Sequence, residues 1–303
     1  MGYSSYSSTA YRSIVDDYKT KPVDKIFTNT SKTDPLMSPN GLKLRECRDS
    51  AAHPNSLAIQ FWLDLTGSMR DIPINLIKNK LGKLIETMLE HKVPDCSVLF
   101  GGIGDHYSDK CPLQIGQFES GTLELDKWLT GLYLEGGGGG TKEESYLLAW
   151  LIAARHTVTD CWEKHGKKGY LFTVGDERTH LEVSADKLKS LMGYTEANDV
   201  TAAQLLKEAQ QRYHIFHVHV QDGSYPDDSQ VFALWKGLLG ERFLVLDHSD
   251  NIAELIATTV AVMEGANKAT VISGLGSAGL SVSTALINLN TSTSVSTSPV
   301  IEF

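Results

Sequence analysis

Cysteine is scarce in this 303-residue chain and poorly placed for metal or disulfide chemistry. Cys47, Cys96, Cys111 and Cys161 stand far apart, with no C-x-x-C pair among them. Neither a zinc site nor a disulfide framework is signalled, and reduced thiols in a cytoplasmic protein are the expectation. A secretory start is missing too, because Met1-Gly-Tyr-Ser-Ser-Tyr-Ser-Ser has no basic opening and no apolar run. Gly2 does not open a myristoylation motif, since Tyr6 occupies the position that needs Ser or Thr. Positive charge is neither abundant nor gathered: 28 Lys and Arg against 37 Asp and Glu give a net charge of −9. A scattered minority of cations argues against a nucleic-acid partner. No long apolar run occurs. Val271 to Leu289 is uncharged but interrupted by Ser, Thr and Gly, so it reads as a tail or an added strand rather than a membrane span.

Signatures of nucleotide and hydrolase chemistry are also lacking. Gly102-Ile-Gly104 and the run Gly136 to Gly140 give neither G-x-G-x-x-G before a helix nor a Lys-Ser/Thr phosphate loop. Ser68 does not sit in G-x-S-x-G, and Cys111 near His106 matches no nucleophile pattern. The chain is therefore expected not to be an enzyme.

What is present suits one sizeable core. Hydrophobic residues make up 41% and charged residues 21%, ordinary for a globular domain. Residues 1–55 mix Ser, Thr, Tyr, Lys and Pro without sustained periodicity and read as an N-terminal arm, with one short helix around Tyr11 to Tyr18. Residues 56–268 alternate apolar runs with amphipathic stretches, and residues 269–303 form a Ser/Thr/Gly-rich tail. The alternation predicts an α/β fold with a doubly wound, mostly parallel six-stranded sheet flanked by helices. Strands are expected at Leu57–Leu63, Ser97–Gly104, Leu113–Phe118 (antiparallel at the edge), Lys168–Val174, His214–Val220 and Phe243–Leu246. Helices are expected at Ile72–Glu90, Glu124–Leu132, Glu143–Arg155, Thr201–Tyr213, Val231–Leu238 and Asn251–Met263. Pro73 falls in a first helical turn, where its missing N–H is harmless. The five tryptophans fall on these elements and read as packing residues.

The densest chemistry lies at the end of the first strand. Ile59-Gln-Phe-Trp-Leu-Asp-Leu-Thr-Gly-Ser68 leaves a buried run through Asp64, Thr66 and Ser68, three oxygen-bearing side chains spaced two apart. One carboxylate and two hydroxyls suit a hard divalent cation that keeps part of its water. A strand-to-helix turn with an N-cap would also use such residues. That plainer reading leaves Thr141, after the glycine run, and Asp176, after the strand Tyr170-Leu-Phe-Thr-Val174, without a role. Asp-x-Thr-Gly-Ser after an apolar strand, followed in order by Thr141 and Asp176, resembles the metal-ion-dependent adhesion site of von Willebrand factor A domains. The likeness covers roughly residues 57 to 265.

That resemblance implies a Rossmann-like fold and an ion, Mg²⁺ or Mn²⁺, held by Asp64, Thr66, Ser68, Thr141 and Asp176. Asp105 and Glu177 would stand behind the ligands or on an acidic rim, with residues 177–200 as a rim for partner specificity. An open position on the ion would take an acidic side chain from a partner protein. The family further implies a MoxR-type AAA ATPase or an assembly subunit as that partner, in the cytoplasm or within an assembly. Two other classes stay open, a structural or virion component and a metal-dependent hydrolase. His214, His217 and His219 do not make a second site by spacing, because on a strand His214 points away from the other two.

Overall fold

The eight residues from Leu57 to Asp64 are buried along their whole length, a state a strand reaches only when helices cover both faces of its sheet. The computed structural model describes residues 4–290 except 70, 80, 92, 94, 137–140, 194, 195 and 197, and omits the side chains of 77, 79, 81 and 82. In it, six strands form the central sheet: β1 (Leu57–Asp64), β2 (Cys96–Ile103), β3 (Leu113–Ile115), β4 (Gly169–Gly175), β5 (Tyr213–Val220) and β6 (Phe243–Leu246). Their order is β6-β5-β4-β1-β2-β3, and only β3 runs antiparallel. The mostly parallel six-stranded sheet flanked by helices is thus as the alternating pattern predicts.

Strand alternation divides the interior in two. Leu57, Ile59, Phe61 and Leu63 of β1 join Tyr170, Phe172 and Val174 of β4 and Phe216, Val218 and Val220 of β5 on one face. Helices α2 (Ile72–Asn79), α3 (Leu81–Glu90), α4 (Thr122–Thr130) and α9 (Ile252–Met263) cover that side; Ile252 to Val262 of α9 are all buried. The other face carries Ala58, Trp62, Leu99 and Leu171 beneath α5 (Tyr146–Arg155), α7 (Ala202–Ala209) and α8 (Ser229–Leu239). Trp62, Trp150 and Trp235 are fully buried there, in keeping with their reading as packing residues.

Local signals set several boundaries. Thr201 caps α7 by accepting from the Gln204 N–H, and Asp228 caps α8 through Gln230 and Val231. The stretch expected to be helical from Ile72 to Glu90 is so over Ile72–Asn79 and Leu81–Glu90, with residue 80 outside the described residues. The helix expected from Glu143 begins at Tyr146, because Glu143–Glu144 instead pairs in parallel with Arg178–Thr179.

Both flanks are packed on the core of the domain. In the N-terminal segment, α1 (Ser8–Thr20) buries Tyr18, whose hydroxyl donates to Asp126 at 2.8 Å, and Arg45–Cys47 pairs in parallel with Thr157–Thr159. Beyond α9 the chain forms α10 (Lys268–Ser273) and α11 (Gly279–Ala285) rather than an added strand. The reason is spacing: Val271, Leu275, Ala278, Val282, Leu286 and Leu289 recur every three or four residues, and all six pack on the core. The alternation in Leu280-Ser-Val282-Ser is shorter than this period and loses to it. No helix among the described residues is long and apolar enough to cross a membrane. Residues 291–303 lie outside the described residues.

Candidate metal centre

Parallel register brings the two loop carboxylates together. Leu63 of β1 lies opposite Val174 of β4, so Asp64 ends its strand level with Gly175, and Asp176 follows at once. Both side chains are fully buried. Asp64 Oδ1 accepts from the Thr66 N–H at 2.9 Å and from the Thr66 hydroxyl at 2.6 Å. Ser68 donates its hydroxyl to Asp176 Oδ1 at 2.8 Å, and the Thr66 and Ser68 oxygens are 3.1 Å apart. Asp176 Oδ2 takes the N–H groups of Ser224 (2.6 Å) and Tyr225 (3.1 Å), which tie the loop after β5 to the site. Gly223 permits that approach, since a Cβ there would stand 2.4 Å from Asp176 Oδ2. Ser68 is half-buried and Ser224 exposed, so the cluster opens to solvent on this side.

Four of the five expected ligands are therefore linked. Thr141 is not joined to them by any hydrogen bond among the described residues; it is exposed and its hydroxyl donates to the Glu143 carbonyl at 3.4 Å. The glycine run before it lies outside the described residues from 137 to 140. Glu177 is buried rather than on an open rim, and Trp235 Nε1 donates to its carbonyl at 2.9 Å. Asp105 is also buried and bonds to His180 Nε2 at 2.8 Å.

Two neighbours carry no motif in the sequence. Tyr146, in the first turn of α5, donates its hydroxyl to Asp64 Oδ2 at 2.5 Å. Gly175 makes room for it: a Cβ there would fall 1.8 Å from the phenol oxygen. Glu144, 2% exposed, lies close enough to add its charge to the group. Its position just before a helix start gives it no more signal than a turn carboxylate.

The electrostatics are one-sided. Among the described residues no Lys, Arg or His forms an ion pair with Asp64, Glu144, Asp176 or Glu177. Burial, and then the Asp176 charge, push the Asp64 carboxyl up to about 7. Burial and the charge of Asp64 raise Glu144 far above the carboxylate range, and burial raises Glu177. A buried carboxylate group without a cation is costly, and a divalent ion is the natural relief.

The donors fit such an ion. Both hydroxyls spend their protons on carboxylates, which leaves oxygen lone pairs for a metal. Their 3.1 Å separation is close to the roughly 3.0 Å between adjacent oxygens at 2.0–2.1 Å around octahedral Mg²⁺. Asp64, Thr66, Ser68 and Asp176 would hold it, and the ion would supply positive charge and coordination positions that these residues leave unfilled.

His217 and His219 serve packing and loop anchoring. His217 stacks on Trp235 at 3.6 Å between ring centroids, and His219 Nε2 meets the Pro226 carbonyl at 3.2 Å.

No protein-family model matches the chain, and no curated protein matches it. Among solved structures it is similar to the pilus adhesin SpaC from Lactobacillus rhamnosus GG, at 8% identity and a TM-score of 0.47 over 72% of this chain and 32% of that one. The open conformation of the same adhesin gives 10% identity and a TM-score of 0.43 over 71% and 31%. Proximal thread matrix protein 1 from the mussel byssus gives 8% and 0.42 over 71% and 48%. The chain thus spans about a third to a half of these proteins, and at TM-scores below 0.5 the likenesses carry no argument about its function.

Proposed function

We propose that the chain is a von Willebrand factor A-like domain that binds Mg²⁺ or Mn²⁺ and, through that ion, an acidic side chain of a partner protein. The observation that carries the reading is the linked set Asp64–Thr66–Ser68–Asp176 at the carboxyl ends of two adjacent parallel strands. Ligands of open α/β sheets gather at such ends. Two buried carboxylates balance a divalent ion and two neutral hydroxyls add no charge, so the ion would keep unfilled oxygen positions that a partner carboxylate can take. A MoxR-type AAA ATPase and a subunit of a larger assembly are the partner classes the family resemblance implies. A binding role, rather than catalysis, suits a cluster with no nucleophile and base paired in it.

Calorimetric titration of Mg²⁺ and Mn²⁺ into the wild type, Asp64→Ala and Asp176→Ala tests the site, followed by metal-dependent capture of a partner bearing acidic residues. Binding confined to the wild type, with capture abolished by chelation, is the expected result. Equal heats in all three proteins would end the proposal.

A further inference from the structure

A second cluster of ligand-type side chains lies beside the first and differs from it in chemistry. Asp105 and His106 follow the carboxyl end of β2, and His180 follows the Arg178–Thr179 strand beyond β4. The loops are fastened to one another: Ser145 N–H donates to the Gly104 carbonyl at 3.1 Å, and His180 N–H to the Glu144 carbonyl at 3.1 Å. One ligand atom from each of Asp105, His106 and His180 lies within 4.8 Å of the others, and all three side chains are buried.

The hydrogen bonds orient these groups as metal ligands are oriented. His106 Nδ1 meets the Ser145 hydroxyl oxygen at 2.7 Å, while His106 Nε2 is buried and has no hydrogen-bond partner. His180 Nδ1 faces Glu143 Oε2 at 3.5 Å, and its Nε2 meets Asp105 Oδ1 at 2.8 Å. Asp105 is itself fixed by the Tyr107 N–H (3.0 Å) and the Ser108 hydroxyl (2.8 Å). His106 thus has the Ser145 oxygen at Nδ1 and an unpartnered Nε2, whereas His180 Nε2 is engaged by Asp105 Oδ1 and would exchange that hydrogen bond for the ion.

We propose that Asp105, His106 and His180 form a second metal site, selective for a borderline transition ion such as Zn²⁺, Co²⁺ or Fe²⁺, and independent of the hydroxyl and carboxylate site at Asp64. Two imidazoles and one carboxylate favour such ions over Mg²⁺. Adjacent ligands at about 2.1 Å from an ion stand roughly 3.0–3.4 Å apart, which the Asp105–His180 pair already approaches. Three protein ligands leave coordination open. His106 borders a cleft of about 450 Å³ that also carries Lys110 and Lys187, so an anion could reach the open position from there. A plain His180–Asp105 hydrogen bond accounts for one contact of the cluster and leaves the buried His106 Nε2 without a function.

Chelator-stripped full-length protein titrated with Co²⁺ and followed by visible absorption tests the site. The expected result is one equivalent of Co²⁺ with a nitrogen-ligand d–d band, displaced by stoichiometric Zn²⁺ and unmoved by millimolar Mg²⁺. His106→Gln and His180→Gln should each weaken Zn²⁺ binding at least 100-fold in calorimetry, with far-UV circular dichroism as the control for folding. If either variant fails to fold, the wild-type cobalt spectrum and its response to Mg²⁺ decide the matter. Absence of the band, displacement of Co²⁺ by Mg²⁺, or unchanged Zn²⁺ affinity in folded variants would overturn the proposal. None of these outcomes depends on Mg²⁺ binding at Asp64.

Discussion

Replacing Asp64 by Asn separates the cost of its buried charge from the cost of its lost contacts. Asn keeps the size of the side chain and an oxygen for the Thr66 N–H and hydroxyl, and the Tyr146 hydroxyl can turn from donor to acceptor. What disappears is a carboxyl raised by burial from 3.8 to about 7. A carboxyl that is more basic folded than unfolded stabilises the fold below its unfolded pKa, and that stability is lost as the pH rises through the folded value. The window is therefore pH 4 to 7, and at 1.36 kcal/mol per unit the loss is on the order of 4 kcal/mol, shared with the neighbouring carboxyls that titrate with it.

Chemical denaturation at pH 5.0 and pH 8.5, in chelator and in Mg²⁺, reads this out. In chelator, Asp64→Asn should exceed the wild type by about 1.6 kcal/mol at pH 5.0, because the unfolded carboxyl is by then 1.2 units past its pKa of 3.8 at 1.36 kcal/mol per unit while the folded one is still protonated. At pH 8.5 it should exceed the wild type by up to about 4 kcal/mol. Mg²⁺ at about 100 times its dissociation constant should return roughly 2.7 kcal/mol to the wild type and nothing to the variant. A variant less stable than the wild type by the same amount at both pH values would refute the reasoning, because Asp64 would then contribute through contacts and not through its charge.

Further outcomes follow from single contacts. Tyr146→Phe removes the donor to Asp64 Oδ2 and should cost about 1–3 kcal/mol, more at pH 8.5 than at pH 5.0, by denaturant titration; equal losses would contradict the assigned bond. Gly175→Ala forces the Tyr146 phenol out of place and should cost about 1–3 kcal/mol while weakening Mg²⁺ binding in calorimetry. Val282→Ala, in the fully buried core contact of α11, should lower stability by about 2 kcal/mol, whereas a detached tail would leave it unchanged.

Much of this architecture is written in short-range pattern. The buried run Leu57–Asp64 and the helix-period spacing between strands predict the parallel sheet, and the same strand end predicts that Asp64, Thr66 and Ser68 gather. Asp176 joins them because the pairing of β1 with β4 carries two distant strand ends to one level, an arrangement that ordered strand–loop signals can anticipate. The C-terminal helices were harder to read: Ser and Thr between the apolar positions 271 and 289 suit exposed helix faces and strands alike. Only the spacing from Val271 to Leu289 separates the two.

The second cluster had no signal of that kind. His106 and His180 are 74 positions apart, and neither stands at metal-motif spacing to another histidine. Their meeting depends on three loops registered by main-chain bonds, Ser145 to Gly104 and His180 to Glu144, which composition and periodicity do not encode. The orphaned Nε2 of His106 is likewise a property of the folded interior: in the unfolded chain water satisfies it. A buried polar atom without a partner is uncommon enough in a folded protein to require a cause. The two sites therefore differ in how they could be found, the first from residues in one loop, the second only from what folding leaves unpaired.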